Sequence, residues 1–142
     1  MAKYNALDLA KKIVNIAGDM GFSITSLQLQ KVMYYVQGNY MKAFSEKAFE
    51  EDILCWDYGP VVESVWRFFN RYGRYPIKHK FETSVELTEH EKNLIETILK
   101  EKLTMNVWDL VDETHRELPW KRANECGNDK ISIQDMERFF AK

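Results

Sequence analysis

A mainly α fold is what this sequence predicts: a single compact helical domain around a buried central helix, with at most a small β element near 52–57 and 82–87. Three observations predict it. Apolar residues recur at helical spacing through 6–20 and 26–44. Capping signatures open several segments, most clearly Thr25-x-x-Gln28 and Thr88-x-x-Glu91. Residues 27–44 are apolar over so much of their circumference that this helix belongs in the middle of a bundle.

The first helix follows Asn5, a side chain able to cap free backbone N–H groups, and carries Leu9, Ile13, Ile16, Ala17 and Met20 on one face before Gly21 stops it. The second runs from Ser26 to Phe44, with Leu29, Val32, Met33, Val36 and Tyr40 as its main stripe. Its polar residues form a narrow strip: Gln28, Lys31, Tyr35, Asn39 and Lys42. A central helix must still show one face to water, so this strip is either that open face or is covered by a neighbouring helix, with the partner bound elsewhere. Gly38 lies beside it, where glycine costs about 1 kcal/mol against alanine; it marks either a close approach by a neighbour or a tolerated weak spot.

Residues 53–56 read as a short extended segment entering a turn, and Pro60 as the first position of a third helix reaching Tyr72. Trp56 and Tyr58 then sit on a rigid corner at Gly59-Pro60, with Val65, Trp66 and Phe69 on the apolar arc that follows. Residues 73–87 read as an irregular linker with a strand at 84–87, expected to be the most protease-sensitive region. Thr88 opens a helix to about Lys102, Asn106-x-x-Asp109 another, Pro119 a short one, and Ser132-x-x-Asp135 the last.

Length and composition fit one globular domain spanning 1–142: 45% of residues are hydrophobic and 30% charged. No run approaches a membrane span and the N-terminus lacks the apolar core of a signal peptide, which points to the cytoplasm and away from a membrane partner. Cys55 and Cys126 form no CxxC pair, so no metal site and no cofactor is expected. A net charge of −2 argues against nucleic acid as the partner; Arg71, Arg74, Lys78 and Lys80 are read as a solvated linker. An enzyme using His115, with Asp112 and Glu117 nearby, is the alternative class. No nucleophile or phosphate-binding loop accompanies them, so His115 is read as structural, bonded to a carboxylate or a backbone carbonyl. Trp56 and Trp120 are expected in the core. Tyr35 and Tyr58 are expected to show a hydroxyl to a groove.

Three pieces stand together in order: "LQLQKVMYYVQGNYMKAF" at 27–44, "WDYGPVVESVW" at 56–66 and "ETHRELPWKRA" at 113–123. Together they resemble the Panacea, or SocA-like antitoxin, domain over nearly the whole chain. The pattern is met by Leu29, Gln30, Lys31, Tyr34, Tyr35, Gln37 and Gly38, by Trp56, Tyr58, Gly59, Pro60 and Val61, and by Thr114, His115, Pro119 and Trp120. The resemblance implies a phage-associated antitoxin that neutralises a cognate toxin protein, by direct binding or by delivering it to a cellular protease. It leaves the toxin unnamed. A phage-encoded adaptor for a host protein is a further alternative. With no disordered segment to wrap a toxin, a folded patch joining Lys31 and Tyr35 to Tyr58 is the expected binding surface, the other motif residues being structural.

Overall fold

The computed structural model describes residues 2–142. Helix α1 (Ala6–Asp19) is capped by Asn5, whose Oδ1 accepts the Asp8 N–H. Helix α2 (Ser26–Phe44) starts from a complete Thr25/Gln28 capping box. Two short strands follow, β1 (Leu54–Trp56) and β2 (Gly59–Val61), paired antiparallel. Helix α3 (Glu63–Phe69) continues into one 3₁₀ turn at Asn70–Tyr72. Thr88 and Glu91 box the start of α4 (Glu89–Lys102), Asn106 caps α5 (Val107–Arg116), α6 (Leu118–Glu125) is entered through Pro119, and Ser132 caps α7 (Ile133–Phe140). The mainly α expectation holds, and so do the capped helix starts.

The predicted centre is the observed centre. Helix α2 packs against α1, α3, α4, α5, α7 and β2, and residues 29–38 are buried without exception. Burial reaches the polar residues too, and each is used to hold another part of the chain. Gln37 donates to the Phe49 carbonyl (2.7 Å) and accepts the Ala48 N–H (2.9 Å), which fixes the segment leaving α2. Tyr40 donates to Glu91 (2.5 Å), which also accepts from Tyr4 (2.7 Å) and Lys3 (3.2 Å). Burial alone would raise the Glu91 carboxyl, but these bonds and the Thr88 N–H outweigh it and hold the group down at about 2. The N-terminus, α2 and α4 thus meet on one carboxylate.

Two expectations need correcting. Pro60 does not open a helix; it lies in β2 opposite Cys55, and α3 begins three residues later. The reason is the turn: Asp57 and Tyr58 keep negative φ while Gly59 takes φ +109°, the arrangement of a tight turn closed by a glycine. Proline survives in β2 because a two-stranded sheet leaves an edge where its missing N–H costs no ladder bond. The other edge, on β1, is covered by the α6–α7 connection: Cys55 N–H donates to the Asp129 carbonyl and Ile131 N–H to that of Ile53, each at 2.8 Å.

Residues 73–87 also differ from expectation, for they form no strand at 84–87 and are strapped across the helices. Asn15 exchanges two bonds with the Phe81 backbone (2.8 and 2.9 Å), and Ile77 N–H donates to the Ile24 carbonyl (2.8 Å). Phe81 stacks edge-on to Phe68 and Phe69, and Ile77 and Val85 are buried. Side chains and one backbone bond, not strand pairing, anchor this stretch.

Gly38 is explained by close approach: a Cβ there would lie 2.2 Å from the Phe140 ring of α7. Gly38→Ala is therefore expected to lose about 1–2 kcal/mol in urea denaturation, overpacking outweighing the ~1 kcal/mol that alanine gains in a helix. In a Phe140→Ala background the same change should be neutral or stabilising. Equal losses in both backgrounds would show that the ring is not the obstacle.

Candidate partner-binding site

The three motif pieces meet around the hairpin. Gln30 Oε1 accepts the Val62 N–H (2.8 Å) at the start of α3, a helix end with no side-chain cap of its own. Lys31 is 0% exposed and donates from Nζ to the Pro60 carbonyl (3.0 Å). Gly59 fits against both Lys31 and α5: a Cβ would fall 2.8 Å from Thr114 Oγ1 and 2.9 Å from Lys31 Cε. Thr114 is itself turned inward, donating to the Val111 carbonyl (2.7 Å). Pro60, Gly59, Lys31 and Thr114 are one packed contact.

On the neighbouring side of α2, the Tyr34 hydroxyl donates to Glu117 (2.9 Å), and that of Tyr35 lies between Glu113 (2.7 Å) and Glu117 (2.9 Å). Lys102 of α4 closes the group, 2.7 Å from Glu113 and 4.0 Å from the Tyr35 ring centre. Burial raises both tyrosine hydroxyls, and the adjoining carboxylates raise them further. Burial also pushes Glu117 up to about 7, more than the tyrosine bonds pull it down. For Glu113, the bonds from Lys102 and Tyr35 outweigh burial, and it is lowered.

His115 is held differently from expectation. It stacks on Trp120 with ring centroids 4.0 Å apart, and its Nε2 is buried with no hydrogen-bond partner among the described residues. Trp120 in turn donates from Nε1 to the Trp56 carbonyl (2.9 Å), while Pro119 is buried beside it. Trp120 is core as expected, but Trp56 is only half-buried, its indole edge-on to that of Trp66 at 5.3 Å.

The polar strip of α2 is not the open face the sequence suggested. Lys31 and Tyr35 are buried because α5 lies over that side of α2 and supplies Thr114, Glu113 and, just beyond it, Glu117. Asn39 and Lys42, further along, line a depression of about 620 Å³ between α2, α4 and α7. Tyr58 does face solvent, 61% exposed, and so do Trp66 at 39% and Trp108 at 54%. Tyr58 meets Trp108 edge-on at 5.7 Å. Residue pattern placed Trp66 and Trp108 among apolar positions; the missed signal is that Trp66 stands three residues after the charged Glu63, hence on its face. Between hairpin and α3 lies a groove of about 450 Å³, walled by Trp56, Tyr58 and Trp66, with Leu27 and Gln30 from α2 and Asp57 from the turn.

The family model described as "Antitoxin SocA-like, Panacea domain" matches residues 29–121, a stretch holding every motif residue of the three pieces. The chain belongs to this family. An antitoxin-like function and a toxin-type protein partner follow from that membership, which favours a non-enzymatic role. No curated protein and no solved structure matches the chain. Helices α1 and α7 lie outside the matched stretch yet pack on its central helix, so the Panacea core here is flanked on both sides of the sequence by elements of the same packed structure. No helix among the described residues is long and apolar enough to cross a membrane.

The buried lysine makes the Panacea core pH-sensitive. Burial lowers Lys31 from 10.5 to about 7. Between those values the unfolded chain holds a proton that the folded chain has released, so this residue makes stability rise with pH. Lys31→Met removes the titration while keeping an unbranched apolar stem. The stability of wild type relative to Lys31→Met is expected to improve by about 2–3 kcal/mol from pH 6 to pH 9, read by chemical denaturation. A difference that stays flat would show that Lys31 does not carry a desolvated charge.

Proposed function

We propose that this protein neutralises a cognate toxin by direct binding through its folded surface, at the face where Tyr58, Trp66 and Trp108 emerge. The observation that carries this reading is their clustering. Of the four exposed large aromatics, three stand around one corner, whereas the motif residues Tyr34, Tyr35, Trp56 and Trp120 are partly or wholly covered. Tyrosine and tryptophan bring contact area at low entropic cost, and such residues dominate binding energy at interfaces. The corner is also rigid, since Gln30, Lys31 and Thr114 hold the hairpin from behind. A pre-organised surface loses little freedom on binding.

Within this reading Tyr58 keeps the role the sequence gave it, while Lys31 and Tyr35 act through position. Lys31 fixes the strand carrying Pro60, and Tyr35 ties α2 to α5, which bears Trp108. The whole chain acts as one unit of the antitoxin, working inside the cell without catalysis. His115 is stacked in place by Trp120 and serves the architecture. The same docking step serves occlusion of the toxin and delivery to a protease alike.

Co-expression with a candidate toxin from a neighbouring reading frame tests the reading. Wild type is expected to restore growth; Tyr58→Ala, Trp66→Ala and Trp108→Ala, each first shown to fold, should reduce rescue by at least about tenfold in plating efficiency for one or more, the effect of losing an aromatic anchor. Full rescue by all three folded variants removes this face. Failure of wild type against a toxin proven active removes the antitoxin assignment.

A further inference from the structure

We propose that the groove between the hairpin and α3 receives an arginine side chain of the partner protein. The partner's being a toxin rests on the antitoxin reading; the chemistry of the groove does not. Its walls are the indoles of Trp56 and Trp66 and the ring of Tyr58. Aromatic faces attract cations, and indole does so best.

Charge narrows the occupant. Asp57 is the one charged residue lining the groove, it is exposed, and among the described residues it has no cationic partner. The neighbouring acids differ in this respect: Glu63 is paired with Arg67 at 3.0 Å and Asp52 with Lys130 at 3.0 Å. A purely apolar segment laid into the groove would strip water from Asp57 without replacing it. An anionic segment would be repelled. A guanidinium suits both surfaces, because its plane stacks on an indole while its edge forks onto a carboxylate.

Gln30 frames the floor of the groove from α2. Its Oε1 is committed to the Val62 N–H, which fixes the amide, and its Nε2 is closed off from the groove's solvent. Two features that the fold itself leaves unmatched are therefore matched by one ligand: exposed indole and unpaired acid.

The test is an NMR titration of the labelled full chain with acetyl-Gly-Leu-Arg-Leu-Gly-amide and with the same peptide carrying citrulline for arginine, which keeps the shape and removes the charge. The arginine peptide should shift the indole N–H signals of Trp56 and Trp66 saturably, and the citrulline peptide should bind about tenfold more weakly. Asp57→Asn, which keeps a residue suited to turns, should weaken the arginine peptide by roughly two- to fivefold and leave the citrulline peptide unchanged. Trp66→Ala, an exposed position, should weaken it further. Absence of a saturable shift, equal binding of the two peptides, or unchanged binding by Asp57→Asn overturns the proposal. If the arginine peptide binds selectively but wild type fails to neutralise an active neighbouring toxin, the groove stands and the antitoxin reading falls. If wild type neutralises and the peptides are not distinguished, the groove's chemistry falls and the antitoxin reading stands.

Discussion

The buried stretch of α2, residues 29–38 with Tyr40, must find partners inside the protein for the polar side chains it carries, and it carries several. Gln30, Lys31, Tyr34, Tyr35, Gln37 and Tyr40 reach out of α2 to four segments: Val62 and Pro60, Glu117 and Glu113, Phe49, and Glu91. An unsatisfied buried group costs about 1–3 kcal/mol, so each bond specifies where its segment must lie. Hydrophobic contact alone would let the hairpin, α5 and the residues after α2 slide. The motif is a set of directional ties from one helix to the segments around it.

Two of these ties are electrostatically expensive, and in opposite directions. Lys31 meets a carbonyl and no carboxylate, so burial drives it toward neutrality near pH 7. Glu117 faces two tyrosines beside a second carboxylate, and burial drives it toward the protonated form, again near pH 7. The sign of each is fixed by linkage. Glu117 makes stability fall as pH rises from 4.5 to about 7, because the folded chain holds its proton longer. Lys31 makes it rise above that. Their combined contribution is least favourable near neutrality. Their contacts support positioning: Lys31 holds the hairpin, and Glu117 ties the α5–α6 junction to α2.

The two sides of the corner differ in character. Lys31, Gly59, Pro60 and Thr114 make its inner side, packed closely enough that a single methyl at Gly59 would collide. Its outer side, at Asp57, Tyr58 and Trp66, makes few bonds within the chain and is exposed. Binding surfaces work best when rigid residues behind them leave the contacting side chains free to engage a partner. Motif residues that never touch a partner would then matter to binding as much as those that do.

Much of this protein is legible in its residues. Cap spacing placed α1, α2, α4, α5 and α7, because a helix start is a local event decided within four residues. The apolar circumference of α2 announced its central place, and three ordered motifs announced the family. Other features were not written locally. Pro60 satisfies the rules for opening a helix equally well as those for an edge strand, and only the pairing with β1 chose between them. Lys31 and Tyr35 carry polar atoms that predict solvent, yet α5, about 80 residues away in sequence, covers them and supplies their surroundings. Trp66 reads as core from its composition and is left outside by the same packing. Local chemistry fixes where elements start and which faces are apolar; which polar face is covered, and which aromatic is left bare, depends on long-range contacts that exist only once the chain has closed on itself.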